Sequence, residues 1–554
     1  MTEHKHIGKI VGALMAAAVA FCLIVTLFAD RFVEVSGSSA ATMEYKSTLF
    51  DTSEIMTVNI IMDEDQWQEL LDNAISEKYY ACDVEINGET ISNVGIRTKG
   101  NTSLSSIAND PDTDRYSFKI KFDKYVDGQT CMGLDKLVLN NNFADATNRK
   151  EALVYDMFQY LGADASLYHY AKISVNGEYW GTYLALEAVE DSFKLRNYGV
   201  SDGKLYKPET MGMGNDQKED GINSDMSDRN VDTDADTNAD TNVDSNTNIF
   251  GSEEVDLARD NNPMDRPERP QGDFDQADMD EKFKDPQGDP GDFGGFDNRN
   301  GGADLNYTDD DTDSYSTIWD GADGKVTDSD KERVVTAIKN INEGTDLTTY
   351  LDVDNILKYM AVHEFVVNLD SLSGNMAHNY YLYENDGQLN IIPWDYNLSF
   401  GGMMNGGMGG GPGRESTESS GATSMINDPI DTPFDGTDFF DALLENEEYL
   451  AQYHEYLRQL AEEYVQGGRL QEVWERLDAQ TDELIETDPT AFYTAAEYEE
   501  AKETLWTVLQ LRAESVLGQL NGTIPSTDDG QQNAQDTLID GSAIDLSVMG
   551  EFNH

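Results

Sequence analysis

The sequence predicts an α+β protein, split by a long acidic insert and preceded by a single apolar segment. Three observations carry that prediction. From about residue 55 to 187, short β-type runs are punctuated by Asn-Gly turns. From about residue 330 to 521, apolar residues recur mostly at helical spacing. Between them, residues 208–315 follow neither pattern and are dominated by Asp, Asn, Gly and Pro.

The chain begins MTEHKHIGK, and residues 10–29 form an uncharged apolar run of twenty. That is enough to cross a hydrocarbon core of about 30 Å. Lys5 and Lys9 precede the run and favour a cytoplasmic N-terminus, placing the rest outside the cytoplasm. A cleaved signal peptide is the alternative. The run is long for one, and Leu27-Phe28-Ala29 is a poor small-x-small cleavage site. Residues 1–30 are therefore expected to be a single-pass membrane anchor, or a signal if cleaved, with the bulk of the chain extracytoplasmic or secreted.

Residues 45–207 are expected to form a β-rich lobe ending in a hinge region. TVNIIM reads as a strand and DEDQWQELLDNAIS as a helix with Trp67, Leu70, Leu71 and Ile75 on one face. YYACDVEING and ISNVGIRTKG flank Asn87-Gly88, a hairpin turn. In YSFKIKFDKY, Phe118, Ile120 and Phe122 alternate with Lys119, Lys121 and Asp123. LDKLVLN is a further strand, NRKEALVYDMFQYLG a helix stopped by Gly162, and AKISVNGEYWGTYLALEAV a hairpin turning at Asn176-Gly177.

Residues 208–315 cannot bury enough apolar surface to offset their ordering entropy and are expected to be disordered. Asp232, Asp234 and Asp236 resemble the start of a calcium loop, but its turn glycine and closing Glu are missing. A weakly ion-condensing tether is the expected role. Residues 316–521 are expected to form a helical lobe, with Val334, Ile338 and Ile341 on one helix and Ile356, Met360 and Phe365 on the next. The polar tail, 522–554, is expected to be disordered.

The chain has 106 acidic and 38 basic residues, a net charge of −68. Such a surface repels nucleic acid and anionic headgroups and attracts cationic partners and divalent ions, although most of the charge is plain solvated surface. Cys22 lies in the apolar run, leaving Cys82 and Cys131 as either one disulfide or two buried thiols.

The candidate site is built around IIPWDYNLSFGG, residues 391–402. NYYLY and QLNIIPW form a hairpin turning at Asp386-Gly387, so the segment after the second strand lies beside the segment before the first. Asp395 thereby meets VVNLDSLSGNMAHN, which holds Asp370, Asn375, His378 and Asn379. Two carboxylates and an amide oxygen on one edge suit Mg²⁺ or Mn²⁺, with substrate phosphates completing the shell. Helix, Asp, Asn, hairpin, Asp is also the order of a protein-kinase catalytic core, and Asp370 to Asn375 keeps the D-x-x-x-x-N spacing. Asn379, at the strand start, competes with Asn375 for the metal. The structural alternative makes Asp395 a capped turn and Asp370 the end of a helix.

The chain resembles the spore coat protein H (CotH) kinase family. GIRTKGNTSL, FKIKF, LDKLVLNNN with NRKEALVYDMF, ISVNGEYWGTYLALEAVEDSF, DSLSGNMAHNYYLY and IPWDYNLSFGG carry the resemblance, over roughly 55–207 and 345–465. It implies an atypical, two-lobed protein-kinase-like fold in a secreted or surface enzyme. That enzyme would use ATP and Mg²⁺ or Mn²⁺ to phosphorylate Ser or Thr. It further implies Asp370 as catalytic residue and Asp395 as metal ligand, with Asn375 or Asn379 beside it. Lys121, or Lys119 on the same strand face, would hold phosphate, with Arg97, Lys99 and Asn101 as further phosphate contacts. Glu151 would orient the lysine, and Glu187 would lie by the nucleotide base. No G-x-G-x-x-G loop is present, and Asn368-Leu369-Asp370 stands in place of H-R-D. The expected partner is a basic, Ser-containing protein, with no nucleic acid. The competing readings are an inactive kinase-like surface scaffold and, further off, a glycosidase using Asp370 and Asp395 beside Trp394.

Overall fold

The computed structural model describes residues 43–210, 301–373, 377–403, 418–432, 434 and 436–550. The apolar run 10–29, the Asp232–Asp236 repeat and Asn375 lie outside them. Among the described residues no helix is long and apolar enough to cross a membrane.

Seven strands come first: β1 (Met56–Ile61), β2 (Tyr80–Ile86), β3 (Glu89–Lys99), β4 (Ser117–Lys121), β5 (Lys136–Asn140), β6 (Tyr168–Val175) and β7 (Glu178–Glu187). They close into a barrel in the order β1-β2-β3-β4-β5-β7-β6, antiparallel except where β6 pairs with β1. Both expected Asn-Gly turns have two consecutive positive φ angles, 50° and 85° at Asn87-Gly88, 52° and 87° at Asn176-Gly177. That is the backbone a two-residue hairpin needs to match strand twist.

Side-chain alternation sorts the barrel residues into two cores. Phe118, Ile120, Leu137 and Leu139 point inside, against helices α1 (Glu64–Asp72) and α2 (Thr102–Asn109). Asp63 caps α1 through the N–H groups of Asp65 and Gln66. Trp67, Leu70 and Leu71 are buried as expected, but Ile75 is 54% exposed. The helix ends at Asp72, and the following 3₁₀ turn rotates Ile75 off the apolar face.

Val138, Leu184 and Leu186 point outward into the second, larger core. It holds α3 (Lys150–Leu161), α4 (Asp191–Tyr198), α5 (Asp328–Asn342), α6 (Val353–Val366), α7 (Glu418–Ile426), α8 (Glu447–Arg458), α9 (Arg469–Glu486) and α10 (Ala495–Leu520). It also holds a three-stranded sheet in the order β10-β9-β8, formed by β8 (Lys204–Tyr206), β9 (Tyr380–Asn385) and β10 (Gln388–Pro393). Reciprocal capping boxes start α5 (Thr327 with Asp330) and α10 (Thr494 with Glu497).

Two segments expected to be disordered are packed. Residues 301–315, assigned from composition to the insert, bury Ala303, Leu305 and Tyr315, and the Tyr380 hydroxyl donates to the Ala303 carbonyl at 2.6 Å. A few apolar anchors order a segment whose average composition is acidic. The tail is likewise held from 522 to 550. Asn427 exchanges two hydrogen bonds with Ile539, while Leu546 and Met549 are buried. Cys82 and Cys131 are buried free thiols.

Candidate active site

The hairpin sets the site. Tyr380 pairs with Pro393, so Asn379 and Trp394 leave the sheet side by side. Asn379 (φ 57°) and Asp395 (φ 61°) both occupy the left-handed region, turning the chain away from its strand. For non-glycine residues this conformation is uncommon and clusters at functional positions. Trp394 is buried, edge-on to Tyr381 at 5.5 Å and beneath the Lys99 ammonium at 5.7 Å. Its face is thus covered, which removes the stacking platform of the glycosidase reading.

Asp370 follows α6. Its Oδ1 accepts from His378 Nε2 at 2.7 Å and its Oδ2 from Asn379 Nδ2 at 3.0 Å, and Asn379 also donates to the Asp370 carbonyl at 2.9 Å. Burial works against a charged His378, but the bond to Asp370 and its charge raise the imidazole pKa overall. Beneath this loop, buried His363 on α6 ties the two acidic loops together. Its Nε2 lies 2.7 Å from Ser373 Oγ and 3.2 Å from Ser371 Oγ, and its Nδ1 lies 3.2 Å from the Tyr396 hydroxyl. Burial pushes His363 down to about 3, so it is a neutral staple.

Asp395 lies at a junction of charges. Burial pushes its pKa up, Lys99 and Lys207 pull it down, and the Asp370 carboxylate pushes it up again. On the other side, Lys99 Nζ donates to Asn140 Oδ1 at 2.9 Å, and Asn140 Nδ2 donates to Glu151 Oε2 at 2.9 Å. Burial and repulsion by Asp395 push Glu151 up to about 8, against the Asn140 bond and Lys99. Burial lowers Lys99, against the attraction of Asp395 and Glu151. Glu151 Oε1 is buried with no partner. Crowded acids and an orphaned hard oxygen fit a divalent cation, with the Asn379 amide oxygen as a further donor. Among the described residues no group of three or more His, Cys, Asp or Glu side chains forms a metal cluster by protein ligands alone. Phosphate and water oxygens would complete such a shell.

The other expected residues divide. By strand register Lys119 lies opposite Arg97, and Lys121 opposite Gly95, on the outward face that also carries Lys99. Lys121 is therefore displaced four residues along β3 from Lys99, about 13 Å. Lys119 and Lys121 instead help lower the pKa of Glu190, which pairs with Lys136 at 2.6 Å. Of these three expected phosphate-binding lysines, Lys99 is the one beside Asp395, because strand register sets which side chain reaches it. Arg97 is engaged locally, by Glu77 at 2.8 Å and the Thr98 carbonyl at 3.0 Å. Asn101 is exposed at the start of α2. Glu187 is fully buried and accepts from Tyr45 at 2.5 Å, Arg196 at 2.6 Å and the Leu167 N–H at 3.1 Å. Its carboxylate is engaged inside the fold.

Sequence reading missed Asn140, His363 and Lys207. Only Asn140 carried a signal, since a polar residue ends a continuous apolar strand there.

A protein-family model described as CotH kinase protein matches residues 96–255 and 274–516. The chain belongs to the CotH kinase family. The match contains Lys99, Glu151, Lys207, Asp370 and Asp395, whereas the packed tail lies beyond it. None of the curated proteins searched matches the chain. Family membership supports a kinase-type enzyme, and the end of β3 together with the hairpin is where this CotH kinase family member gathers lysines and acids.

Proposed function

We propose that this protein transfers the γ-phosphoryl group of ATP to a Ser or Thr hydroxyl of a protein, with Mg²⁺ or Mn²⁺ bound, on an atypical two-lobed kinase-like fold. The observation that carries the reading is the convergence of Asp370 and Asp395 across the hairpin, with Lys99 beside Asp395. Asp395, Glu151 and the Asn379 amide oxygen are the groups that would hold the cation. When bound, it would supply positive charge to phosphate oxygens.

Lys99 would bind phosphate from the barrel side, with Asn140 and Glu151 fixing its ammonium. Asp370, held at both oxygens by His378 and Asn379, would orient the acceptor hydroxyl and take its proton. The acceptor oxygen bonds to the γ-phosphorus as the bond to the β–γ bridging oxygen breaks, and ADP leaves with that electron pair. Catalysis of this kind is mostly positioning and charge. The strongly acidic surface favours a basic acceptor protein, and the apolar run 10–29 favours an extracytoplasmic enzyme anchored to the membrane.

Incubation with γ-labelled or α-labelled ATP plus Mn²⁺ and a basic Ser-containing acceptor tests the reading. Label from γ-ATP alone is expected, and Asp395→Ala should reduce it by ~100-fold or more. Transfer from α-labelled ATP would make the protein a nucleotidyl transferase. No transfer and no ATP binding would make it a scaffold.

A further inference from the structure

We propose that Lys207 is a second phosphate-binding residue, facing the triphosphate from the hairpin side opposite Lys99, with Glu209 as its resident counter-ion until nucleotide binds. This rests on the kinase reading above.

The backbone at Lys207 is fixed in three ways. Tyr206, immediately before it, pairs with Leu382 on β9 and bridges to Ala322. The Lys207 N–H donates to the Gly321 carbonyl at 2.6 Å. A Cβ on Gly321 would come within 2.2 Å of the Lys207 carbonyl oxygen, so only glycine admits this approach. A solvent-facing lysine needs no such anchoring.

The side chain extends over the hairpin. Lys207 Nζ lies over the Tyr381 ring at 5.9 Å, on the strand whose partner leads to Asp395. Like Lys99, it lies within electrostatic range of Asp395, and each lysine sits within the field of the other. Beyond the shared Asp395, a partly buried ammonium at Lys207 calls for negative charge in direct contact. Glu209 supplies part of it, with Oε1 2.5 Å from Lys207 Nζ. Lys207 is 30% and Glu209 38% exposed, so an incoming phosphate can reach the pair and replace the carboxylate. Glu209 also acts on His378, the partner of Asp370, which sets this pair beside the same site.

The test is ATP binding by calorimetry in Mn²⁺, on the full chain and its variants. Lys207→Ala should weaken binding about tenfold or more, the loss of a charge-assisted hydrogen bond, while Lys207→Arg retains most of it. Glu209→Gln should tighten binding severalfold in the wild-type background and have no effect in Lys207→Ala, the non-additivity of a shared pair. Melting temperatures show that each variant is folded. If wild type binds and Lys207→Ala binds equally well, the inference falls and the kinase reading stands. If Glu209→Gln tightens binding equally in both backgrounds, its effect is general repulsion and the counter-ion role falls. If wild type does not bind ATP, both readings fall together.

Discussion

Lys99 and Lys121 share one sheet face, yet only Lys99 sits beside Asp395, and that difference is testable. Lys99→Ala is expected to lower transfer ~100-fold, whereas Lys121→Ala should stay within about threefold of wild type, read as label incorporation at fixed ATP. The reverse order would return the phosphate contact to Lys121. Glu151 carries a pH signature. Its folded pKa, raised to about 8, lies above the usual Glu value of 4.5. The folded state therefore binds more protons than the unfolded state between those values, so stability falls as pH rises through the window. Glu151→Gln cannot lose that proton. Its stability relative to wild type should rise from pH 5 to pH 8.5 in denaturant titrations, and Mn²⁺ should narrow the gap by stabilising the wild-type carboxylate. A flat difference would mean that Glu151 is ionised throughout.

At the level of elements, the hairpin and α6 do most to build the site. The hairpin was legible because Asp386-Gly387 (φ 50° and 88°) forces a tight turn between two apolar runs. That alone implied that Asp395 returns to the Asp370 segment. The staple was not legible. His363 lies in an apolar helical run, and nothing in its spacing reveals that both nitrogens meet hydroxyls from two different loops. His363→Ala would leave the Ser373 and Tyr396 hydroxyls without this partner and open a cavity. We expect a loss of about 2–4 kcal/mol in unfolding free energy. Transfer activity should fall as well, because both acidic loops are anchored there. His363 is also held neutral down to about pH 3, below its ordinary 6.5. The unfolded chain therefore binds the extra proton first, and stability declines as pH falls from about 6.5 towards 3. Loss of that acid sensitivity in a folded His363→Ala protein would identify its source.

On the scale of the whole molecule, the barrel, the three-stranded sheet and the helices follow from alternation, Asn-Gly turns and helical spacing, all local signals. What escaped were segments ordered by others. Residues 301–315 and 522–550 are too polar on average to predict a core, but Tyr315, Leu546 and Met549 fill sites prepared by distant elements. The bonding of Glu187 was not legible either, for the converse reason. It is the last residue of β7, where Arg196 and Tyr45 claim it from α4 and from ahead of the barrel. The tail also reaches the site. The Met549 carbonyl accepts from Ala146 N–H, in the loop whose Phe143 carbonyl accepts from Asn397 Nδ2. Truncation after Asn521 should therefore lower the melting temperature by several degrees, whereas an unchanged value would return the tail to the role of an unstructured appendage.

In the proposed mechanism Asp395 and its neighbours hold one cation on the side facing Asp370. Crystals grown with Mn²⁺ and a non-hydrolysable ATP analogue, measured at the manganese absorption edge, test it most directly. An anomalous peak in contact with Asp395 and the terminal phosphates, and with Lys99 on those phosphates, is the predicted result. A nucleotide bound elsewhere, or a peak with no contact to Asp395, would contradict it.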